Sequence, residues 1–433
     1  MSVPRCRAPS YAPHRIGPGS AWRRVPALAG ALAFALALPW VVACRPEADM
    51  ANPEPDTMEA APAPAAEAPL ATPEPEPPPV AAELEPPEDA EPEPPPGTWR
   101  PLTEEQIAIL FSTQEDDVPE YRQGITDRQA NFHYTSGNER TLDAYYPKLT
   151  ERMGGAYVGV GTDQAYLFMS WARVEIAWLI DYDPVIQEIH ELYRLFFTTA
   201  QTPTELVSLW SSSGSERALE VIAAAHDEDR AKKLSYWYKG SRARIHRRLK
   251  ALTSRFERED VPTFLTDQEH YDYVRMMLEQ RRVRPLLVNL LDDEGLLALS
   301  RATEKLGVPV RVLYLSNAEQ YWKRYSPEFR RNIGSLPFSD DAVVLRTLLS
   351  QAINEDYRYN LQPATNYVQW LSRPFVINVY QIVRGGPAAK PEGITLFESN
   401  RDPDRSAAGK KWYERHPNAA PPEATSAPAA AAQ

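Results

Sequence analysis

Two glycines and several polar residues form the pattern best suited to chemistry in this 433-residue chain. Gly159 and Gly161 end a strand-like run that begins at Ala156, and Asp181 follows a second apolar run twenty residues after Gly161. In a nucleotide-binding unit of strand, helix and strand, glycines let the backbone approach the ligand, and a carboxylate after the second strand accepts ribose hydroxyls. The candidates for cofactor binding are Gly159, Gly161, Thr162, Asp163, Asp181 and Asp183.

The same pattern also fits an ordinary turn from strand to helix, in which the two glycines serve only close packing. The third glycine of a dinucleotide fingerprint would fall at Gln164. Both interpretations place a strand over 156–160, a helix from Gln164 to Arg173 and a strand over 176–180.

Polar residues also follow two later apolar runs, 284–291 and 310–315. Open α/β sheets bind ligands just beyond the carboxyl ends of their strands. The candidates on the substrate side are therefore Asn289, Asp292, Asn317 and Glu319. For Asn317 and Glu319, helix capping is the alternative.

Strand-like runs alternate with helical segments through most of the chain, which indicates an α/β fold with a mostly parallel sheet. Runs 342–349 and 375–383 are expected to close the sheet, with a short helix over 363–371 between them. Residues 197–260 are expected to form a helical insertion. Its basic run, 239–255, could meet anionic lipid head groups, but a solvated helix face is favoured.

Three stretches carry a resemblance to a known family: GAYVGVGTDQ followed by WLIDYDP, FLTDQEHYDYVRMML and VRVLYLSNAEQYW. They resemble a family of uncharacterised bacterial proteins with a Rossmann-like fold of the S-adenosylmethionine-dependent methyltransferase type. The resemblance covers roughly residues 100–385. In the broader class an acid stands two residues before the first glycine, where this chain has Tyr157.

The resemblance implies a class I methyltransferase-like domain over 99–385, with S-adenosylmethionine as the cofactor. It also implies an N-terminal cap over the nucleotide fold, formed by residues 131–149 and here called the cap. It also implies a polar residue after the fourth strand, beside the transferred methyl group. Asn317 is the nearest match, and Asn317 and Glu319 are the candidate catalytic residues.

The first 43 residues contain arginines, no acidic residue and an apolar run that ends in VVA, which is typical of a secretory signal. Cys44 then resembles the lipidated cysteine of bacterial lipoproteins, and an uncleaved membrane anchor is the alternative. Residues 44–98 are expected to form an acidic, proline-rich disordered linker. We thus expect a lipid-anchored protein of the bacterial cell envelope, with its domain outside the cytoplasm and a loosely ordered tail over 386–433.

Charge and motifs exclude several functions. The net charge of −12 lies largely in the linker, so the domain shows no sign of binding nucleic acid. The two cysteines, Cys6 and Cys44, precede the domain, and no zinc-hydrolase motif occurs, so no metal site is predicted.

Two functions are compatible with these features. The first is binding of a nucleoside-type ligand such as S-adenosylmethionine, with methyl transfer as an unassigned activity. The second is a non-catalytic module of the envelope, on a degenerate Rossmann-like scaffold, that binds another small molecule or a protein. Export favours the second, because S-adenosylmethionine is made and used in the cytoplasm, but the glycine and aspartate pattern favours the first.

Overall fold

The structure, a computed structural model, describes residues 99–119, 132–349, 356–383 and 396–419. Within these residues a mostly parallel sheet of seven strands is covered by helices on both faces. The predicted α/β, Rossmann-like fold is confirmed.

Seven strands make up the sheet of the described residues: β1 (Ala156–Val160), β2 (Ile176–Asp181), β3 (Val283–Leu287), β4 (Val310–Tyr314), β5 (Phe338–Leu349), β6 (Tyr357–Pro363) and β7 (Leu396–Glu398). Their order across the sheet is β3-β2-β1-β4-β5-β6-β7. The first five strands in this order, β3, β2, β1, β4 and β5, run parallel to one another. Strand β6 is antiparallel to β5, and β7 is parallel to β6.

The chain builds the sheet outward from β1 to β2 and β3, and then returns to the other side of β1 with β4. The direction of winding therefore reverses between β1 and β4. In open α/β sheets the ligand crevice lies at such a reversal, outside the carboxyl ends of the strands.

Helices connect the strands and surround the sheet. They are α1 (Glu104–Phe111), α2 (Tyr146–Leu149), α3 (Gln164–Ala172), α4 (Pro184–Thr199), α5 (Pro203–Leu209), α6 (Ser215–Ala225), α7 (Glu228–Arg258), α8 (Gln268–Glu279), α9 (Gly295–Leu306), α10 (Pro327–Gly334), α11 (Ala364–Leu371), α12 (Val379–Val383) and α13 (Ala407–Arg415). Short 3₁₀ helices occupy Leu142–Tyr145 and Ala318–Tyr321.

Side chains of β1 alternate between two apolar clusters, one on each face of the sheet. Tyr157 packs with Phe168 of α3 on one face, and Val158 packs with Trp178 and Leu313 on the other. Because β1 is covered on both faces, it reads in the sequence as a continuous apolar run.

Helices α5 to α7 lie in the segment predicted as a helical insertion. The longest, α7, has 31 residues and begins at an Asp227 side chain that accepts a hydrogen bond from the Arg230 N–H. Its buried residues recur at helical spacing, as Leu234, Tyr238 and Ile245 show. This stripe joins α7 to the core on the Tyr157 face.

Two predictions near the end of the domain are wrong. Residues 375–383 are not a strand, since they contain α12, and the strand beside β5 is β6. The expected loose tail is ordered over its described part, 396–419, which contains β7 and α13, and α13 packs through Trp412 against Phe375. Residues 386–395 and 420–433 of that prediction lie outside the described residues. The signal segment 1–43, Cys44 and the linker 44–98 lie outside the described residues.

Candidate functional site

A cavity of about 410 Å³ opens at the carboxyl edge of the sheet, where the winding reverses between β1 and β4. We call it the sheet-edge cavity. Most of the residues that line it follow the ends of β1 to β4 or lie in the segment after residue 131. The full lining is Pro119, Phe132, Tyr134, Ser136, Gly137, Asn138, Glu139, Val160, Gly161, Thr162, Gln164, Asp181, Tyr182, Asp183, Ile186, Val288, Asn289, Leu290, Leu291, Ser316, Asn317, Ala318, Tyr321, Trp322 and Tyr357.

The lining is acidic and aromatic. Three of its described members are carboxylates, Glu139, Asp181 and Asp183, and none is a lysine, arginine or histidine. Six others are aromatic: Phe132, Tyr134, Tyr182, Tyr321, Trp322 and Tyr357. Such a surface suits a neutral or cationic ligand with flat rings better than a phosphate.

The loop after β1 approaches the cavity through Gly161, whose φ of +94° favours glycine. A side chain at Gly161 would overlap the amide nitrogen of Gln164, which also lies 3.4 Å from the Val160 carbonyl oxygen. The Gln164 amide therefore covers the glycine loop, in space that a third glycine would leave open.

Gly159 does not line the cavity. A side chain there would overlap the hydroxyl end of Tyr157, two residues back on the same face of β1. Gly159 thus makes room for the Tyr157 ring. Its role is close packing, as in the alternative interpretation of the turn, and not cofactor binding.

The Asp163 carboxylate bonds only to other groups of the protein and has no exposed surface for a ligand. It is fully buried, its Oδ2 lies 2.9 Å from Nε of Arg248, and its Oδ1 accepts hydrogen bonds from the Gly137 N–H at 2.6 Å and the Thr162 hydroxyl at 3.2 Å. The structure therefore makes Asp163 a residue that fixes the cap. Thr162 lines the cavity as predicted.

The two aspartates at the end of β2, Asp181 within the strand and Asp183 just beyond it, have different environments. Burial raises the pKa of the Asp181 carboxyl to about 7, and the nearby charge of Asp183 adds to this, although the backbone N–H groups of Asp183, Gly161 and Tyr182 oppose it. Asp183 is already engaged, because it caps α4 at the Val185 N–H and lies 2.7 Å from Nδ1 of His133. Asp181 is the carboxylate that can receive a ligand.

On the substrate side, Asn289 lines the cavity and Asp292 does not. Asn289 is held by its N–H, which donates to Asp116 at 2.9 Å. Asp116 also accepts from the N–H of Gly295 at 2.6 Å, at the start of α9. The substrate-side assignment of Asp292 is therefore not supported, and the start of α9 is held by Asp116, a carboxylate from a distant segment.

The two candidate catalytic residues separate in space. Asn317 lines the cavity, whereas the Glu319 carboxylate turns into the core and is 1% exposed. There it pairs with Arg346 and accepts hydrogen bonds from the hydroxyls of Tyr325 at 2.6 Å and Tyr367 at 2.7 Å. Glu319 cannot reach a ligand in the cavity and is not a catalytic candidate.

Glu139 is a cavity residue that the sequence did not reveal. Its Oε1 accepts hydrogen bonds from the hydroxyls of Tyr314 at 2.8 Å, Ser316 at 2.9 Å and Thr347 at 3.2 Å. Glu139 lies far in the sequence from the residues of β4 and β5 that it contacts, so no local sequence pattern identifies this carboxylate as a site residue.

Arginines of the basic helix also act at the site. Arg248 bonds Asp163 and the Glu139 carbonyl oxygen, Arg244 donates to the His133 carbonyl oxygen at 3.1 Å, and Arg255 pairs with Asp143. The solvated-face interpretation is therefore wrong for Arg248 and Arg255, whose side chains are largely covered, whereas Arg244 is exposed as expected. All three residues bind the cap to α7.

Two observations limit the chemistry of the described residues. They contain no group of three or more histidine, cysteine or acidic side chains placed to hold a metal ion. Among them, too, no helix is both long and apolar enough to cross a membrane.

Comparison with known proteins adds a family. Residues 134–397 match the model of a domain of unknown function, DUF7790, so the match runs from the cap to β7 and covers more than half of the chain. No curated protein matches the chain.

Proposed function

The chain belongs to the DUF7790 family, and we propose that its sheet-edge cavity binds a nucleoside-type ligand, with S-adenosylmethionine as the first compound to test. The observation that carries this proposal is the position of Asp181. Its carboxylate stands at the end of β2, beside the glycine turn at Gly161 and at the reversal of strand order. This is where a ribose diol meets a carboxylate in nucleotide-binding α/β sheets.

The charge of the lining selects among nucleoside-type ligands. Dinucleotides carry a pyrophosphate, which would lie among carboxylates without a cationic side chain from the described lining. A sulfonium ion is attracted by the same carboxylates and by aromatic faces such as Trp322 and Tyr321. The cavity therefore favours S-adenosylmethionine over a dinucleotide.

Methyl transfer is the activity that such a ligand would support, and it needs an aligned nucleophile and a base. Asp181 has a pKa of about 7 and lines the cavity, as Asn317 does. We propose Asp181 for the ribose and Asn317 for the reacting end, and leave the acceptor open.

A second candidate function is ligand binding without catalysis. It is favoured by Gln164, whose amide covers the glycine loop, and by Asp163, which is committed to Arg248. In a scaffold that no longer turns over a cofactor, both features are tolerated.

Calorimetry with S-adenosylmethionine, S-adenosylhomocysteine, adenosine and a nicotinamide dinucleotide tests the proposal. We expect heat with the first two and none with the dinucleotide. Asp181→Ala should weaken binding by about tenfold or more, because each hydrogen bond to a charged acceptor contributes roughly 1.5–3 kcal/mol. The exposed Asp340→Asn is the control and should bind like the parent. No heat with the parent at millimolar ligand would contradict the proposal.

Gln164→Ala refines the test. It clears the space above Gly161 while keeping a good helix former at the first position of α3. Tighter binding would show that the amide must move when the ligand enters. If the parent binds the ligand and Gln164→Ala binds it with the same affinity, the ligand lies elsewhere in the cavity.

We also propose, from the sequence, that lipid on Cys44 holds the domain at the membrane of the bacterial cell envelope. Export would separate the domain from cytoplasmic S-adenosylmethionine. Adenosine and S-adenosylhomocysteine therefore serve as ligands that share the ribose but lack the sulfonium charge.

A further inference from the structure

A second pocket lies far from the glycine loop, on the sheet face where β5, β6 and β7 meet, and has a volume of about 210 Å³. We call it the arginine pocket. Arg346 of β5 and Arg358 of β6 project from the same face, because Arg346 is opposite Asn360 and Leu348 is opposite Arg358. Arg401, beyond β7, also lines the pocket, together with Ser399.

Several polar atoms of the arginine pocket have no partner. Nη2 of Arg346, Nε of Arg358 and Oγ of Ser399 are each buried without a hydrogen bond. Arg346 is fully buried, so its free Nη2 cannot be satisfied by bulk solvent. A buried donor left unpaired is destabilising, and three such groups around one space indicate that something fills it.

The charges around the pocket leave a positive excess. Arg346 is balanced by Glu319, and Glu398 is balanced by Lys148 at 3.3 Å. Within the described part of the chain, neither Arg358 nor Arg401 pairs with a carboxylate. Burial lowers the pKa of the Arg358 guanidinium, and the nearby charge of Arg401 lowers it further. The two cations thus repel each other across a partly buried space.

The loop after β7 is held in place without a ligand. The Ser399 N–H donates to the Leu361 carbonyl oxygen at 3.0 Å. The Arg401 carbonyl oxygen accepts hydrogen bonds from Trp370 at 2.8 Å and Asn366 at 2.9 Å. Because the backbone on either side of the pocket is fixed, a ligand would meet donors that are already in position.

We propose that the arginine pocket is a binding site for one small oxyanion, held by Arg358, Arg401 and the Ser399 hydroxyl, with Arg346 at its buried end. The shared chemistry is that of a phosphate or a carboxylate group, each of which accepts several hydrogen bonds from guanidinium donors. This site is independent of the sheet-edge cavity, because no residue lines both.

Thermal unfolding of the protein tests the site, with inorganic phosphate and acetate as separate probes against sodium chloride of equal ionic strength. A ligand that binds only the folded state raises the melting temperature. We expect a rise with at least one oxyanion beyond that in chloride. Phosphate also stabilises folded proteins by exclusion from their surface, so a rise indicates binding only where loss of the pocket's arginines abolishes it. Such a rise with phosphate alone selects a phosphate ligand, and with acetate alone a carboxylate.

The variants separate binding from folding. The double variant Arg358→Gln with Arg401→Gln should lower the affinity for the oxyanion by at least about tenfold, as measured by calorimetry. Ser399→Ala is the mild variant: its hydroxyl has no partner in the free protein, so stability without oxyanion should be kept while affinity falls. Arg301→Gln, at an exposed position of α9, removes one charge elsewhere and should bind like the parent.

Two results would overturn the proposal. One is a parent whose melting temperature responds to phosphate, acetate and chloride alike. The other is an oxyanion effect that persists undiminished in both Ser399→Ala and the double arginine variant, since the anion would then bind at another place.

Discussion

The Nε2 atom of His190 lies 2.9 Å from the carbonyl oxygen of Gly161, so a buried side chain of α4 fixes the turn that follows β1. The other ring nitrogen, Nδ1, lies 2.9 Å from the hydroxyl of Tyr166. Burial lowers the pKa of the imidazole to about 4, which keeps the ring neutral and defines its hydrogen bonds: Nε2–H donates to Gly161, and Nδ1 accepts from Tyr166.

His190 should make the domain sensitive to acid. A base with a lower pKa in the folded chain binds fewer protons when folded, so its stabilising contribution is present above pH 6.5 and is lost as the pH falls towards about 4. His190→Gln can still donate to Gly161 but cannot titrate, so the parent should lose stability relative to this variant over that range. Denaturant unfolding between pH 4 and 7 measures the difference.

His190→Leu provides the matched comparison. It leaves the Gly161 carbonyl and the Tyr166 hydroxyl without their partner and should destabilise the fold by about 1–3 kcal/mol at pH 7, a deficit that shrinks as the parent loses stability in acid. Parallel pH profiles for the parent and His190→Gln would show that His190 is not the acid-sensitive group.

Asp181 should have the opposite pH dependence. An acid whose pKa is raised from 3.8 to about 7 binds more protons when folded, so stability falls as the pH rises through this range. Asp181→Asn should therefore gain stability over the parent, by about 2 kcal/mol at pH 8, since exposure to the cavity screens part of the effect. Asp340→Asn should show no such gain. If Asp181→Asn is less stable than the parent at pH 8, the ionised Asp181 carboxylate does not destabilise the folded protein and the prediction is wrong.

A side chain at Gly137 should crowd three polar side-chain ends beneath the cap. A Cβ there would lie 2.9 Å from Gln164 Oε1, 2.9 Å from Glu139 Oε2 and 3.2 Å from Arg248 Nη2. Gly137→Ala is therefore expected to destabilise the domain by about 1–3 kcal/mol, through displacement of the cap.

Gly240→Ala is the control for this substitution. Gly240 lies within α7 and a Cβ there meets nothing within 4 Å, so alanine should stabilise the fold by about 0.5–1 kcal/mol. Chemical unfolding of both variants measures the two opposite signs. Equal effects would mean that the contacts around Gly137 relax freely.

Cys44→Ser tests the proposed anchor. Without the thiol no lipid can be attached, so the protein should move from the membrane fraction to the soluble envelope fraction or remain as an uncleaved precursor. Cys6→Ser should have no effect, because Cys6 precedes the expected cleavage site. Fractionation and intact mass decide the matter, and a lipid-sized mass that survives in Cys44→Ser would contradict the lipoprotein proposal.

The unit of β1, α3 and β2 could be read from the sequence because its signals are local. Each apolar run is short and ends at glycine or aspartate, and the residues between them have helical spacing. The position of Asp181 follows from these signals alone. Strand β6 was missed because YRYNLQP carries arginine, asparagine and glutamine on one buried face, where long-range contacts such as the hydrogen bond from Arg346 to Gln362 at 3.0 Å hold them.

The partners of the carboxylates could not be predicted. Asp163 and Glu319 both follow strands that end at the cavity, and in the sequence they look equivalent to Asp181. Their roles are decided by Arg248 and Arg346, which come from other elements. Sequence spacing locates the edge of a sheet, but long-range ion pairs decide which acids remain available there.

The ion pair between Asp163 and Arg248 joins residues 85 positions apart and ties the glycine turn to α7. Contacts between distant residues form late in folding, because the entropy of closing a long loop must be overcome first. The turn after β1 therefore reaches its final conformation only when α7 has docked. During refolding, amide protons around Gly161 should gain protection from exchange after those of β1 and β2 themselves.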